Sequence, residues 1–250
     1  MRRSSAATAA SSGSARTNWL SDCARYGLPA AGSYVVMFEN ERAIAVERYD
    51  RLYQGSGGPI RRVHQEDMCQ ALGLMPTTKY QNEGGPSPEQ IIDLLRREIL
   101  PARTAEAHVA RFVDALAFNW IIAGTDAHAK NYSLLLAGRQ VRLAPLYDVA
   151  SALPYDDMYL PRLQMAMRVG GENRVESISG RHWCRFAEAN RLDPDETLAR
   201  VDALAARSPE CFADVARDDR VQALESGLPA RLVERVTARA ARCRRALAQV

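Results

Sequence analysis

The chain has 250 residues, enough to bury a substantial core in one large domain or in two lobes. Its formal net charge is only +3, which is too small to indicate a surface for direct binding to nucleic acid. No apolar run approaches the roughly 20 residues of a membrane-spanning helix. The five cysteines are widely spaced and form no CxxC pair, which favours free thiols in a cytoplasmic protein.

The amino-terminal region changes character near residue 18. Residues 1–17 are rich in Ser and Ala and lack the apolar segment of a signal peptide, so we expect a disordered leader. Residues 18–28 have helical spacing that ends at Gly27. Residues 33–51 then predict a β-hairpin that turns near Asn40.

The Gly-rich segment QGSGGP occupies residues 54–59. A loop that cradles phosphate needs a preceding strand, a following helix or strand, and a nearby Lys. The sequence around this segment indicates no such context, so we predict a flexible linker. The next segment, residues 62–73, predicts a short helix that buries Met68 and Cys69.

Two longer helices follow. Ser87 and Pro88 form a cap and a first helical position, and the apolar stripe continues to residue 99. The second helix begins near residue 104 and leads to Gly124, which we interpret as its C-terminal stop. His108 on this helix is expected to be a packed or surface side chain rather than a ligand.

The segment after this helix carries the chemistry. It contains the loop TDAHAKN at 125–131, a hairpin turning near Gly138, and a second acidic loop. Protein kinases use this order, with an Asp and an Asn five positions apart in one loop and a further Asp after a hairpin. Here Asp126 and Asn131 are five positions apart, and Asp148 lies 17 residues beyond Asn131.

These spacings suggest a role for each residue. Asp126 would orient an attacking hydroxyl, while Asn131 and Asp148 would hold Mg²⁺, which needs few protein oxygens beside phosphates and waters. Taken singly, each residue could instead cap a helix or stabilise a turn. Asp126 and His128 could also be a metal pair for hydrolysis, but the other histidines are scattered without ligand spacing.

The remainder of the chain is mostly helical. Gly170 and Gly171 predict a tight turn, and four helical stretches follow at 182–190, 194–207, 209–226 and 229–250. The last stretch has a basic exposed face. We interpret it as a solvated face, with contact to an acidic partner as the alternative.

Several segments resemble the HipA-type serine/threonine kinases, the toxins of bacterial toxin–antitoxin pairs. The resemblance begins with DAHAKN at 126–131 and LAPLYDVAS at 143–151. The DxHxxN core also occurs in aminoglycoside- and choline-type small-molecule kinases. The segments HQED, QALG and KYxxxGGP are similar to HipA-type kinases specifically, and the resemblance extends from about residue 18 to the mid-200s.

The resemblance implies a two-lobe kinase fold of the α+β class, mainly α, with ATP and Mg²⁺ as cofactors. Residues 18–60 would be a remnant of the N-lobe with the interlobe hinge, and residues 61–250 a helical C-lobe. It implies transfer of the ATP γ-phosphate to a protein hydroxyl. The residues that it assigns to the site are Asp126, His128 and Lys130 for catalysis, Asn131 and Asp148 for nucleotide and metal, and Glu47 and Arg48 beside the adenine. A solvated, charged strand end is the alternative for Glu47 and Arg48.

The chain departs from the family at its beginning. The family's accessory subdomain, its Gly-rich loop with a regulatory Ser and its phosphate-binding strand Lys are not recognisable. The only lysines are Lys79, in the KYxxxGGP segment, and Lys130, in the catalytic loop, and Arg is no simple replacement. We therefore expect a truncated N-lobe and weak activity alone, with an antitoxin or a separate N-lobe protein as partner. A catalytically dead binding module and a small-molecule phosphotransferase remain the alternatives.

Overall fold

The computed structural model describes residues 27–39, 41–54 and 58–249. The predicted leader, and all but the last two residues of the predicted helix at 18–28, lie outside these ranges. The elements combine helices with short antiparallel strands, which confirms the mainly helical α+β class. In chain order they are β1 (Ser33–Phe38), β2 (Glu41–Val46), β3 (Arg51–Tyr53), β4 (Ile60–Arg62), β5 (His64–Asp67), α1 (Met68–Ala71), α2 (Pro88–Glu98), α3 (Ala102–Ile121), β6 (Ser133–Ala137), β7 (Gln140–Leu143), β8 (Gln164–Val169), β9 (Glu172–Arg174), α4 (Gly180–Ala189), α5 (Pro194–Ala216), α6 (Asp219–Gln222) and α7 (Leu228–Leu247).

The predicted hairpin near the amino terminus is confirmed. Strands β1 and β2 pair antiparallel from Ser33 opposite Val46 to Phe38 opposite Glu41. They form a two-stranded sheet of their own, and its apolar side chains are poorly covered: Phe38 is 65% exposed and Ile44 is 76% exposed. The hairpin therefore presents an apolar surface. An isolated two-stranded ribbon is also at best marginally stable in water.

The segment predicted as a linker connects the two strands of a second hairpin. Strands β3 and β4 pair antiparallel, with Arg51 opposite Arg62 and Tyr53 opposite Ile60. Residues 54–59 thus have a strand on each side, a context that the sequence did not indicate, whereas residues 55–57 of the predicted flexible linker lie outside the described ranges. Each strand has only three residues, too few for an alternating pattern to be recognised in the sequence.

The helix predicted over 62–73 begins only at Met68. Residues His64–Asp67 form strand β5 instead, which pairs with β6 in a three-stranded sheet of order β5-β6-β7. Asp67 ends the strand and caps α1, because its carboxylate accepts a hydrogen bond from the Gln70 backbone N–H at 2.9 Å. Met68 and Cys69 are buried as expected.

Helices α2 and α3 form the centre of the core. The Ser87 hydroxyl and the Gln90 side chain form a capping box at the start of α2, and its apolar stripe is buried. Helix α3 begins at Ala102, slightly earlier than predicted, and buries Phe112 and Trp120 completely. Full burial of such side chains is worth roughly 1.5–3 kcal/mol each, so α3 is a rigid base for the loop that follows it.

The carboxyl-terminal region contains one difference from the predicted helices. Gly170 and Gly171 have φ angles of 54° and 90° and join β8 to β9, which confirms the tight turn. Helix α5, however, continues through Pro209 to Ala216, so two predicted helices are mostly one. Packing against α7 outweighs the helix-breaking tendency of a single proline.

The basic face of α7 is largely paired within the chain. Arg231 and Arg235 contact Asp156, and Arg239 and Arg242 contact Glu176. The face is thus only partly solvated, because neighbouring loops supply carboxylates. Within the described ranges, no helix has the length and hydropathy needed to cross a bilayer.

Candidate active site

The end of α3 positions the loop that carries Asp126. The helix ends at Ile121, and the left-handed residue is Ala123, with φ 51°, rather than Gly124. A Cβ at Gly124 would lie 2.4 Å from Asn119 Oδ1. Gly124 is therefore required for space and does not end the helix through a left-handed conformation, which corrects the sequence interpretation.

The carbonyls that end α3 bind the loop after Asp148. The Ser151 hydroxyl donates to the Ile122 carbonyl at 2.5 Å, and the Ala152 N–H donates to the Ala123 carbonyl at 3.1 Å. These bonds satisfy backbone acceptors that a helix end would otherwise leave free. The loop before the hairpin and the loop after it are thereby held together.

The loop of residues 125–131 is fixed by its own backbone. The His128 N–H donates to the Asp126 carbonyl at 2.8 Å, and the Asn131 N–H donates to the His128 carbonyl at 2.9 Å. The Ala129 N–H donates to the Lys79 carbonyl at 3.2 Å. His128 and Asn131 are buried, whereas Asp126 is exposed and accessible to a substrate.

Tyr147 anchors the second acidic loop to the first. Its hydroxyl donates to the Lys130 carbonyl at 2.6 Å and lies 2.5 Å from the Ser133 hydroxyl. Burial raises the pKa of Tyr147 far above its usual value, so the phenol remains a donor. The neighbouring Asp148 is exposed and has the left-handed φ of 53°.

Asn131 and Asp148 meet as their spacing predicted. The Asn131 side-chain amide lies 3.2 Å from the Asp148 carbonyl and 3.3 Å from its Oδ2. An amide and a carboxylate side by side offer the hard oxygen ligands that suit Mg²⁺, whose other ligands are phosphates and waters. In the part of the chain that the structure describes, no three His, Cys, Asp or Glu side chains form a group suited to a metal.

Asp126 has a partner that the sequence interpretation missed. The Tyr80 hydroxyl donates to Asp126 Oδ1 at 2.6 Å, and this bond raises the pKa of Tyr80 to about 12. The edge of the Tyr80 ring contacts His128, with ring centroids 5.1 Å apart. Tyr80 belongs to the KYxxxGGP segment, but 46 residues separate it from Asp126, so no local pattern predicts the contact.

His128 is a packed, neutral side chain in this arrangement. Burial, with the positive charge of Lys79, lowers the pKa of His128 below its usual range. Its Nδ1 is buried and has no hydrogen-bond partner among the described residues. Lys130, two residues later, contributes its backbone carbonyl, which accepts a hydrogen bond from the Tyr147 hydroxyl.

The segment with Glu47 and Arg48 lies beside the site, but Arg48 is engaged elsewhere. Arg48 Nε and Nη2 each donate to the Asp50 carboxylate at 2.8 Å. The Tyr49 ring stands 5.7 Å from the Tyr147 ring, centroid to centroid, which places the segment next to Asp148. The Glu47 N–H donates to the Gly32 carbonyl at 2.6 Å. The role of Glu47 and Arg48 beside adenine stays a prediction.

Comparison with known proteins gives a consistent family. The family model of the HipA-like C-terminal domain matches residues 19–212. The putative kinase Y4mE of Sinorhizobium fredii is 38% identical over 175 residues, which are 70% of this chain and 40% of that protein. The serine/threonine-protein kinase toxin HipA of Shewanella oneidensis is 27% identical over 196 residues, which are 76% of this chain and 45% of that protein. The chain thus spans less than half the length of these relatives.

Solved structures show the same fold. HipA in the complex of Shewanella oneidensis HipA, HipB and operator DNA superposes with a TM-score of 0.79 at 23% identity, covering 92% of this chain and 55% of that chain. The Helicobacter pylori proinflammatory kinase CtkA superposes with a TM-score of 0.57 at 9% identity, covering 93% and 82%. At these identities the likeness concerns the fold alone.

Proposed function

This chain belongs to the HipA-like C-terminal domain family, and we propose on that premise that it is the catalytic part of a HipA-like serine/threonine protein kinase. Its reaction would transfer the γ-phosphate of ATP to a protein hydroxyl. One observation carries this proposal: the side-chain amide nitrogen of Asn131 lies 3.3 Å from Oδ2 of Asp148, and one hairpin joins the loops that hold these two residues. The exposed carboxylate of Asp126 lies in the same loop as Asn131.

Each residue of the site has a distinct role in this reaction. Asn131 and Asp148 hold Mg²⁺, which when bound offsets the negative charge of the nucleotide phosphates. The substrate hydroxyl oxygen forms a bond to the γ-phosphorus, the bond from that phosphorus to the β–γ bridging oxygen breaks, and ADP leaves. Asp126 orients the hydroxyl and accepts its proton. His128, being neutral and buried, supports the loop, and Lys130 supplies the positive charge of the loop.

The division of the chain follows the same proposal. Residues 61–250 would be the helical C-lobe, and residues 18–60 would be the hinge with a remnant of the N-lobe. Glu47 and Arg48 would then lie near the adenine. The next residue, Tyr49, supports this placement because its ring packs near the ring of Tyr147, which precedes Asp148. We place the protein in the cytoplasm, where ATP is available and free thiols persist.

A polypeptide partner is part of the proposal. The exposed apolar side chains of β1 and β2, including Phe38 and Ile44, form a surface of the kind that another polypeptide covers. We propose an antitoxin or a separate N-lobe protein as that partner, and we expect no direct contact of this chain with nucleic acid. The same surface also suits the alternative of a catalytically dead binding module.

Two substitutions separate binding from transfer. Asp148→Asn removes a metal-binding charge while keeping a residue that tolerates a left-handed φ, so it should abolish the Mg²⁺ dependence of nucleotide affinity. Asp126→Asn should leave that affinity unchanged and reduce phosphate transfer to a small residual rate. Calorimetry with ATP, in Mg²⁺ and in EDTA, and transfer from γ-labelled ATP to casein measure the two effects.

Three outcomes would decide between the functions. Unchanged nucleotide affinity in Asp148→Asn would contradict the metal assignment. One equivalent of Zn²⁺ or Mn²⁺ retained through purification, together with phosphatase activity, would favour a hydrolase. Transfer to an aminoglycoside or choline, but not to casein or to the chain itself, would favour the small-molecule phosphotransferase.

A further inference from the structure

We propose, building on the kinase function above, that Tyr80 is the positioning residue for Asp126. Its hydroxyl holds Oδ1 of the carboxylate at 2.6 Å. The second oxygen, Oδ2, is then the one that faces the substrate hydroxyl and takes its proton. Tyr80 thus acts on the reaction through Asp126 and makes no bond to the transferred group.

The backbone around Tyr80 is held at several points. The Tyr80 carbonyl accepts from the Glu83 N–H at 3.0 Å and from the Gly85 N–H at 2.8 Å. A Cβ at Gly85 would lie 2.7 Å from that carbonyl oxygen, so the turn closes tightly only with glycine. One residue earlier, the Lys79 carbonyl accepts from the Ala129 N–H at 3.2 Å. The Tyr80 segment and the catalytic loop are therefore joined by backbone bonds as well as by the phenol.

The Tyr80 ring is held by contacts independent of its hydroxyl. Its edge meets the His128 ring, with centroids 5.1 Å apart and an interplanar angle of 78°. The Lys79 ammonium stands 4.9 Å from the Tyr80 centroid. A phenylalanine would retain both contacts. Replacing Tyr80 with Phe therefore isolates the hydrogen bond to Asp126.

Asp126 needs such a partner because its carboxylate is exposed. An exposed Asp side chain samples several rotamers, and each rotamer turns a different oxygen towards the substrate. A donor held by the fold selects one orientation before the substrate arrives. Because the pKa of Tyr80 is raised to about 12, the donor keeps its proton throughout the pH range of an ordinary assay.

Kinetics of Tyr80→Phe test the role. With the N-lobe supplied by a separate polypeptide, we expect the kcat for casein phosphorylation to fall about 10- to 100-fold, the range for misplacement of a reacting group. The KM for casein and the affinity for Mg²⁺–ATP should stay unchanged. Tyr159→Phe, at a tyrosine that is 63% exposed, is the matched control and should keep the wild-type kcat. An unchanged kcat in Tyr80→Phe would overturn the proposal, and an increase would show that the phenol blocks Asp126 instead.

A double substitution separates positioning from a general structural effect. If Tyr80 acts through Asp126, adding Tyr80→Phe to Asp126→Asn should cause no further loss of the residual rate. If the two losses multiply, Tyr80 acts independently of Asp126 and the proposal fails.

A spectroscopic signature tests the contact without any activity. With ¹³C at the tyrosine Cζ, the Tyr80 signal is assigned by its loss in Tyr80→Phe. This signal should remain that of a neutral phenol at pH 10 in the wild type, where the pKa of Tyr80 is raised to about 12, and should titrate at a lower pH in Asp126→Asn, which lacks the carboxylate. If Asp126→Asn leaves this signal unchanged, the contact is absent and the proposal is overturned. A shifted signal in a chain that transfers no phosphate even when a separate polypeptide supplies the N-lobe would overturn the kinase function and keep the Tyr80–Asp126 contact.

Discussion

The side-chain amide nitrogen of Asn131 lies 3.3 Å from carboxylate Oδ2 of Asp148, across 17 residues of sequence. The two residues flank the β6–β7 hairpin, whose antiparallel pairing returns the chain to its starting point. Tyr147 reinforces the approach through its bond to the Lys130 carbonyl. The hairpin therefore brings the side chains of two separate loops into contact.

Asn131 and Asp148 should behave as one unit in metal binding. We expect Asn131→Ala and Asp148→Asn each to lower the affinity for Mg²⁺–ATP by about 10-fold or more, the scale of losses at metal sites. The double variant should lose less than the product of the two, because both residues hold the same ion. Calorimetric titration of the four proteins measures this coupling, and fully multiplicative losses would place the residues in separate roles.

Gly124 should be intolerant of even one additional carbon. In Gly124→Ala the new Cβ would lie 2.4 Å from Asn119 Oδ1 and 3.1 Å from the Ala150 carbonyl oxygen. Overpacking of this kind costs roughly 1–3 kcal/mol of the free energy of unfolding. Urea denaturation measures the loss.

Gly227→Ala is the control for that substitution. Its Cβ would meet nothing within 4 Å and its φ is −75°, so the free energy of unfolding should fall by less than about 1 kcal/mol, the scale of placing alanine at a helix N-cap. Equal free energies of unfolding for the two variants would mean that the loop after α3 accommodates the added Cβ without a cost in stability.

Asp50 should make stability depend on acidic pH. Its side chain is only 1% exposed and is paired with Arg48 and Arg51, and the hydrogen bond from Arg48 holds its pKa below the usual value. The folded state then binds this proton less readily than the unfolded state. The stabilisation is present above the ordinary Asp pKa of about 3.9 and is lost as pH falls through the lowered value in the folded protein.

The measurement is the free energy of unfolding in urea between pH 2.5 and pH 7. We expect Asp50→Asn to be less stable than the wild type at pH 7 and to lose less stability on acidification. Arg48→Gln should also make the free energy of unfolding depend less on pH, because it removes the main hydrogen-bond partner of Asp50. A profile of Asp50→Asn parallel to that of the wild type would show that Asp50 does not carry the effect.

Residues 1–250 alone should be a poor kinase. A glycine loop and a strand Lys both stabilise charge on the transferred group, and loss of one such donor costs on the order of 10² to 10³ in rate. The only lysines here are Lys79 and Lys130. We expect a folded chain with weak binding of Mg²⁺–ATP and little transfer to casein, with activity restored when a separate polypeptide supplies a glycine loop and a strand Lys.

Co-expression with the part of Y4mE that this chain does not match tests this restoration. Ile44→Asp, at a side chain that is 76% exposed, should reduce the restored activity without changing the melting temperature of the chain alone. Robust phosphorylation by residues 1–250 without a partner would contradict the expectation and would assign the phosphate contact to an arginine.

Much of the fold and part of the site followed from local patterns in the sequence. The capping box at Ser87, the hairpin from Ser33 to Val46 and the turn at Gly170 depend on neighbouring residues, whose conformational preferences act at short range. The spacing of Asp126, Asn131 and Asp148 was equally informative, because a loop and a hairpin of set length limit where their ends can lie.

Only the tertiary structure decided the contacts between distant segments. The pairing of β5 with β6 turned His64–Asp67 into a strand, and packing against α7 carried α5 through Pro209. Tyr80 reaches Asp126 across 46 residues. Such contacts depend on how whole elements pack, and the energy of that packing exceeds the local preferences that a sequence pattern reports. Spacing therefore indicated that Asn131 and Asp148 would lie together, whereas the contact between Tyr80 and Asp126 could not be read from it.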